Sequence, residues 1–145
     1  MKTKKKPFPT QKNDEPAIGP IHAFIADDSR LMMVLLTRIL SKDRRIKIVG
    51  SATDGWEALC YASSLDPDLV LVDSHMPGLD GAEVARRLKQ RPNHPTIFVV
   101  TSDDRPGSRA ECLTAGADAF LVKKSDLSSQ IQTAIQNFFP TRGAV

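Results

Sequence analysis

The chain has 145 residues, 41% of them hydrophobic and 26% charged, which is the make-up of one ordinary globular domain with a full core. No apolar run reaches the roughly 20 residues of a membrane span, and no apolar stretch follows the N-terminal lysines as a secretory signal requires. The formal charge of +3 belongs to residues 1–20, where five lysines face Asp14 and Glu15, while residues 21–145 carry 15 basic and 15 acidic side chains.

Residues 1–20 are rich in lysine and proline and lack periodicity, so they are expected to form a flexible basic tail. Cys60 and Cys112 have neither pairing nor metal spacing and read as reduced thiols of a cytoplasmic protein.

From Ile21 a pattern repeats five times: a short apolar run, a polar turn, then a helical stretch. The first run, Ile21–Ala26, leads into a helix expected to bury Leu31, Val34, Leu35 and Ile39. The second, Ile46–Val49, alternates and suits an edge strand; the helix after it carries Ala58, Leu59, Ala62 and Leu65. The third, Leu69–Val72, is continuously apolar, as a strand covered on both faces should be. Gly81, Val84, Ala85 and Leu88 then fall at helical spacing. The fourth run is Ile97–Val100, followed by a short, weakly apolar helix over 107–114. The fifth is Ala119–Val122, followed by Leu127, Ile131, Ala134, Ile135 and Phe138 on one stripe. Five strands alternating with five helices predict an α/β fold, a doubly wound parallel sheet.

The ligand site of such a sheet lies beyond the carboxyl ends of its strands. Four strands stop on polar residues: Asp27 and Asp28, Asp73, Thr101 and Ser102, and Lys123 and Lys124. Three carboxylates gathered in one place repel unless a cation neutralises them, and oxygen ligands at a partly hydrated site suit Mg²⁺. A lysine opposite supplies a point charge for a phosphoryl oxygen, and a carboxylate can be the nucleophile that forms an acyl phosphate. The assembly reads as phosphoryl transfer to an aspartate. A flavin or nucleotide binder is disfavoured, because Asp27 and Asp28 stand where an anionic ligand would need a phosphate loop, and no Gly-x-x-x-x-Gly-Lys is present.

Over about Ile21–Phe139 these motifs resemble the receiver domain of two-component response regulators, in detail those of the LuxR/NarL type. The carrying segments are Ile-Ala-Asp27-Asp28-Ser, Leu-Val-Asp73-Ser-His-Met76-Pro77-Gly-Leu-Asp-Gly81, Thr101-Ser102, and Gly116-Ala-Asp-Ala-Phe120-Leu-Val-Lys123. The resemblance implies the flavodoxin-like strand order 2-1-3-4-5, with residues 21–139 as the domain and 140–145 as a short C-terminal tail. It implies Asp73 as phosphoacceptor and Mg²⁺ bound by Asp28, Asp73 and the backbone carbonyl of His75, with Asp27 acting through water. Lys123 would pair with Asp73 and then with the phosphoryl group, Thr101 would follow that group inward, and Phe120 would be the aromatic that reports the movement. The Lys123–Lys124 bond replaces a frequent Lys-Pro, which puts a cis peptide there in doubt.

The implied protein is no enzyme in its own right but a phosphoacceptor that assists its own phosphorylation and dephosphorylation. Its partners would be a sensor histidine kinase or phosphotransfer protein and a protein target on the face of the fourth helix, fifth strand and fifth helix. No DNA-binding domain and no membrane are expected, and the state would be a monomer or a phosphorylation-dependent dimer. The alternative reading is a degenerate receiver used as an unphosphorylated scaffold. His75, next to the acceptor loop, is expected to face solvent and tune water access. Lys123, at a strand end, is expected to pack little, so that its removal spares the fold.

Overall fold

The computed structural model describes residues 19–141; the lysine-rich tail of the sequence reading therefore lies outside the described residues except for Gly19 and Pro20. The chain alternates strictly between β1 (Ile21–Ala26), α1 (Arg30–Leu40), β2 (Ile46–Ala52), α2 (Gly55–Leu65), β3 (Leu69–Val72), α3 (Gly81–Lys89), β4 (Thr96–Thr101), α4 (Pro106–Ala115), β5 (Ala119–Val122) and α5 (Leu127–Phe138). All strand pairings are parallel and the order is β2-β1-β3-β4-β5. The expected fold is the observed one. Among the described residues no peptide bond is cis, Lys123–Lys124 included, and no helix is long and apolar enough to cross a membrane.

Alternation along each strand splits the core into two layers. Phe24, Val70, Val72, Ile97, Val99 and Phe120 face α2, α3 and α4. Ile25, Leu69, Leu71, Phe98, Val100 and Leu121 face α1 and α5. Every residue of β3 is fully buried, and each such side chain stabilises the fold by about 1.5–3 kcal/mol. This explains why β3 reads as an unbroken apolar run.

Short polar side chains start three of the helices. Ser29, Asp54 and Asp80 accept hydrogen bonds from the backbone N–H groups of Met32, Glu57 and Glu83. The start of α4 has no side-chain cap; Pro106 at its first turn sets the backbone instead. Only Cys112 and Ala115 of α4 are buried, in line with its weak apolar pattern.

Two expectations change. β2 runs to Ala52 rather than Val49, because Gly50, Ser51 and Ala52 pair with Phe24, Ile25 and Ala26 past a register shift. Gly50 and Ser51 carry no apolar signal, and the neighbouring strand recruits them. The buried face of α1 is also not the expected one. Leu36, Ile39 and Leu40 are buried, with Met32 and Met33 packed against the same cluster. Leu31, Val34 and Leu35 are 78%, 57% and 41% exposed. The helix is apolar nearly all round, so its spacing offers two stripes, and docking against α5 selects one of them.

Candidate functional site

The sheet ladder does not stop at the strand ends; its hydrogen bonds continue into the first polar residues. Asp73 N–H donates to the Ala26 carbonyl at 3.0 Å, Asp27 N–H to the Ala52 carbonyl at 3.1 Å, and Lys123 N–H to the Thr101 carbonyl at 2.8 Å. These bonds hold the backbone of the site as firmly as the sheet itself. Ala26 is in register with Val72, so Asp27 and Asp73 follow as neighbours on adjacent strands.

The charged groups converge. Lys123 Nζ lies 2.9 Å from Asp27 Oδ2 and 3.2 Å from Asp73 Oδ2. Asp27 is fully buried, and its other oxygen accepts the Ser29 N–H at 2.8 Å. Asp28 is exposed at the rim, and Asp27, Asp28 and Asp73 bring one carboxylate oxygen each within 4.8 Å of one another. Asp73 Oδ1 accepts the His75 N–H at 3.4 Å. Burial, then the charge of Asp27, raises the Asp73 pKa against the opposing pull of Lys123. Burial would depress Lys123, but the hydrogen bond it donates to Asp27 and the two carboxylate charges prevail and raise it.

Three carboxylates against one ammonium leave two formal negative charges in a cleft buried at its floor and open at its rim. This donor set, hard oxygens with a carboxylate at the solvent edge, fits a divalent cation of the Mg²⁺ kind. Both Asp27 oxygens already have partners, in Ser29 N–H and Lys123 Nζ, whereas Asp28 stands at the rim.

Thr101 is fully buried and hydrogen-bonds through Oγ1 to Ser74 Oγ at 2.6 Å, and it accepts the Asp103 N–H at 3.0 Å. Phe120 is only 7% exposed and packs in the α2–α4 layer, with the Arg109 guanidinium 5.7 Å from its ring centre. It already lies inside in this state. The His75 side chain faces solvent, as expected, but is tied to Asp103 at 3.1 Å. Arg105, then His75 and Ser108, hold the Asp103 carboxyl well below the usual carboxylate range. Sequence reading overlooked Ser74 altogether. The signal was available, since Ser74 directly follows a fully buried strand and the Asp73 carboxylate.

Gly81 closes the loop behind Asp73. Its N–H donates to the Ser74 carbonyl at 2.9 Å, and a Cβ there would sit 2.3 Å from the Asp73 carbonyl oxygen. Gly78, at φ +86°, makes the turn before it against Trp56.

A family profile described as "Response regulator receiver domain" matches residues 23–136. The chain is 38% identical over 112 residues to "Protein-glutamate methylesterase/protein-glutamine glutaminase 2" of Koribacter versatilis, a match covering 76% of this chain and 31% of that protein. The chain thus spans about a third of the length of that relative. Among solved structures it is similar to the signal receiver domain of the putative response regulator NarL from Mycobacterium tuberculosis, with TM-score 0.77 and 30% identity over 83% of this chain and 96% of that one. It is also similar to a chain of the CheX–CheY–BeF₃–Mg²⁺ complex from Borrelia burgdorferi, with TM-score 0.74 and 25% identity over 83% and 90%. The strand order, the polar strand ends and these matches agree: the chain belongs to the response regulator receiver domains, the receiving modules of two-component signalling.

Proposed function

We propose that Asp73 accepts a phosphoryl group from a histidine kinase or phosphotransfer protein, and that the product is read by a protein that binds the α4–β5–α5 face. The observation that carries this reading is the half-enclosed Asp73 carboxylate, 3.2 Å from Lys123 Nζ and grouped with Asp27 and Asp28. An Asp73 oxygen forms the new O–P bond while the donor's N–P bond breaks and its ring nitrogen keeps the electron pair. Lys123 balances charge on the phosphoryl oxygens in the bound group. Asp28, Asp73 and the His75 carbonyl would hold Mg²⁺, with Asp27 acting through water; the ion supplies neutralisation of the cleft and of the incoming phosphate. The BeF₃ and Mg²⁺ in the CheX–CheY complex support this assignment by similarity.

Thr101 is the group placed to follow the phosphoryl oxygens. Val99, two residues before it, is in register with Phe120, so Thr101 and Phe120 belong to the same sheet face. A shift of Thr101 therefore changes the packing around an already buried Phe120 and, through Arg109, the surface of α4. The domain is read as residues 21–139. This is a population shift between two arrangements, and α4, with two buried residues, is the helix least anchored to the core.

The test is incubation with acetyl phosphate and Mg²⁺, followed by a phosphate-affinity gel. Wild type should give a retarded band, while Asp73→Asn and an EDTA-treated sample should give none. A retarded band in Asp73→Asn would overturn the assignment.

A further inference from the structure

Among the described residues only four polar side chains are buried: Asp27, Asp73, Ser74 and Thr101. Three belong to the acceptor site by their chemistry. Ser74 has no part in it so far, yet a buried hydroxyl is retained where it has a partner, and its partner is Thr101 at 2.6 Å. The contact follows from register. Val72 pairs with Val99, so Ser74 and Thr101, two residues further along each strand, come opposite one another on the same sheet face. Asp73 and Val100, the positions between these two pairs, take the other parity. One step out, His75 meets Asp103 at 3.1 Å, and Asp103 also holds Arg105 and Ser108 at the start of α4. The ends of β3 and β4 are joined by two side-chain bonds, one buried and one at the solvent edge.

We infer that Ser74 is a positioning residue that holds Thr101 away from the acceptor in the resting state, so that the Ser74–Thr101 bond opposes activation. The inference rests on the reading of Asp73 as phosphoacceptor and of Thr101 as the group that follows the phosphoryl oxygens. Thr101 Oγ1 has two resting partners, Ser74 Oγ and Asp103 N–H. To reach a phosphoryl oxygen it gives up the first, and the Asp103 loop moves with it. A contact present in one of two states and absent from the other biases their populations by its own net free energy. A net intramolecular hydrogen bond corresponds to about fivefold in an equilibrium constant. The His75–Asp103 pair acts in the same direction and less strongly, because an exposed pair is screened by solvent.

Beryllofluoride with Mg²⁺ is the probe, and its apparent dissociation constant, read by fluorine NMR or calorimetry, is the measurement. Ser74→Ala should bind about fivefold more tightly than wild type. Ser74→Thr, which keeps the hydroxyl, should return toward the wild-type value, and His75→Ala should move the constant in the same direction by a smaller factor. Thr101→Ala should bind more weakly, and adding Ser74→Ala to it should change nothing further, because the bond is already lost. Circular dichroism melts accompany each variant; a merely structural Ser74 would lower the melting temperature and leave the constant unchanged. Unchanged or weaker binding by a folded Ser74→Ala protein, or an undiminished effect of Ser74→Ala in the Thr101→Ala background, overturns the inference alone. Failure of wild type to bind beryllofluoride at all overturns the acceptor reading and the inference with it.

Discussion

Lys123 donates to Asp27 across 2.9 Å, a shorter contact than the 3.2 Å it makes with Asp73. Asp27 is fully buried, so the ammonium is the partner that makes its charge tolerable there. The lysine is therefore part of the fold as well as of the proposed chemistry. It bridges the ends of β1, β3 and β5, three strands that no single loop connects.

The bridge alters what removal of the lysine should do. Read as a strand-end side chain, Lys123 should be dispensable for stability. With Asp27 buried beneath it, Lys123→Ala leaves an uncompensated carboxylate and should cost about 3 kcal/mol at neutral pH. Urea unfolding at pH 7 without divalent ion checks this, and added Mg²⁺ should recover part of the loss by neutralising the same oxygens.

Asp73 should show the opposite behaviour. Its folded pKa is raised above the ordinary value of 3.8 by burial and by Asp27, so the folded state binds a proton more readily than the unfolded chain. The stability it contributes is present below the unfolded value and is lost as pH rises through the raised one. At pH 7 without metal the ionised side chain is a net burden, and Asp73→Asn should raise the melting temperature. The gain should vanish when wild type and variant are both melted near pH 3.

Gly81 has a backbone role that any side chain defeats. A Cβ there would approach the Asp73 carbonyl oxygen to 2.3 Å and the Ser74 Cα to 2.9 Å, both backbone atoms that cannot rotate away. Gly81→Ala should destabilise the protein by about 1–3 kcal/mol. It should also slow phosphorylation by acetyl phosphate, since the atoms displaced are those that aim Asp73. Chemical denaturation and the phosphate-affinity gel measure the two effects on one preparation.

The two stripes of α1 separate cleanly by substitution. Leu36→Ala, at 1% exposure, should cost about 2–5 kcal/mol, and Leu31→Ala, at 78%, should stay within about 0.5 kcal/mol of wild type. Melting curves of the two variants decide which face of the helix carries the core.

Much of this molecule is legible in one dimension. Period-two and period-3.6 patterns are local, so the ten elements, their order and the parallel sheet follow from spacing alone, with β3 the clearest because it is buried on both faces. The caps Ser29, Asp54 and Asp80 are local as well, and the polar strand ends mark the site because such a sheet places every ligand there. What depends on contacts between distant segments was not legible. Gly50 and Ser51 join β2 through pairing with β1, and α1 offers two apolar stripes between which only packing on α5 chooses. Ser74 acquires its partner from the register of β3 against β4, a quantity that neither strand contains. A strand's alternation says which residues share a face, but not how far the next strand is slid along it. That slide is set by the packing of the whole core, and it brings Ser74 to Thr101 and Asp27 beside Asp73.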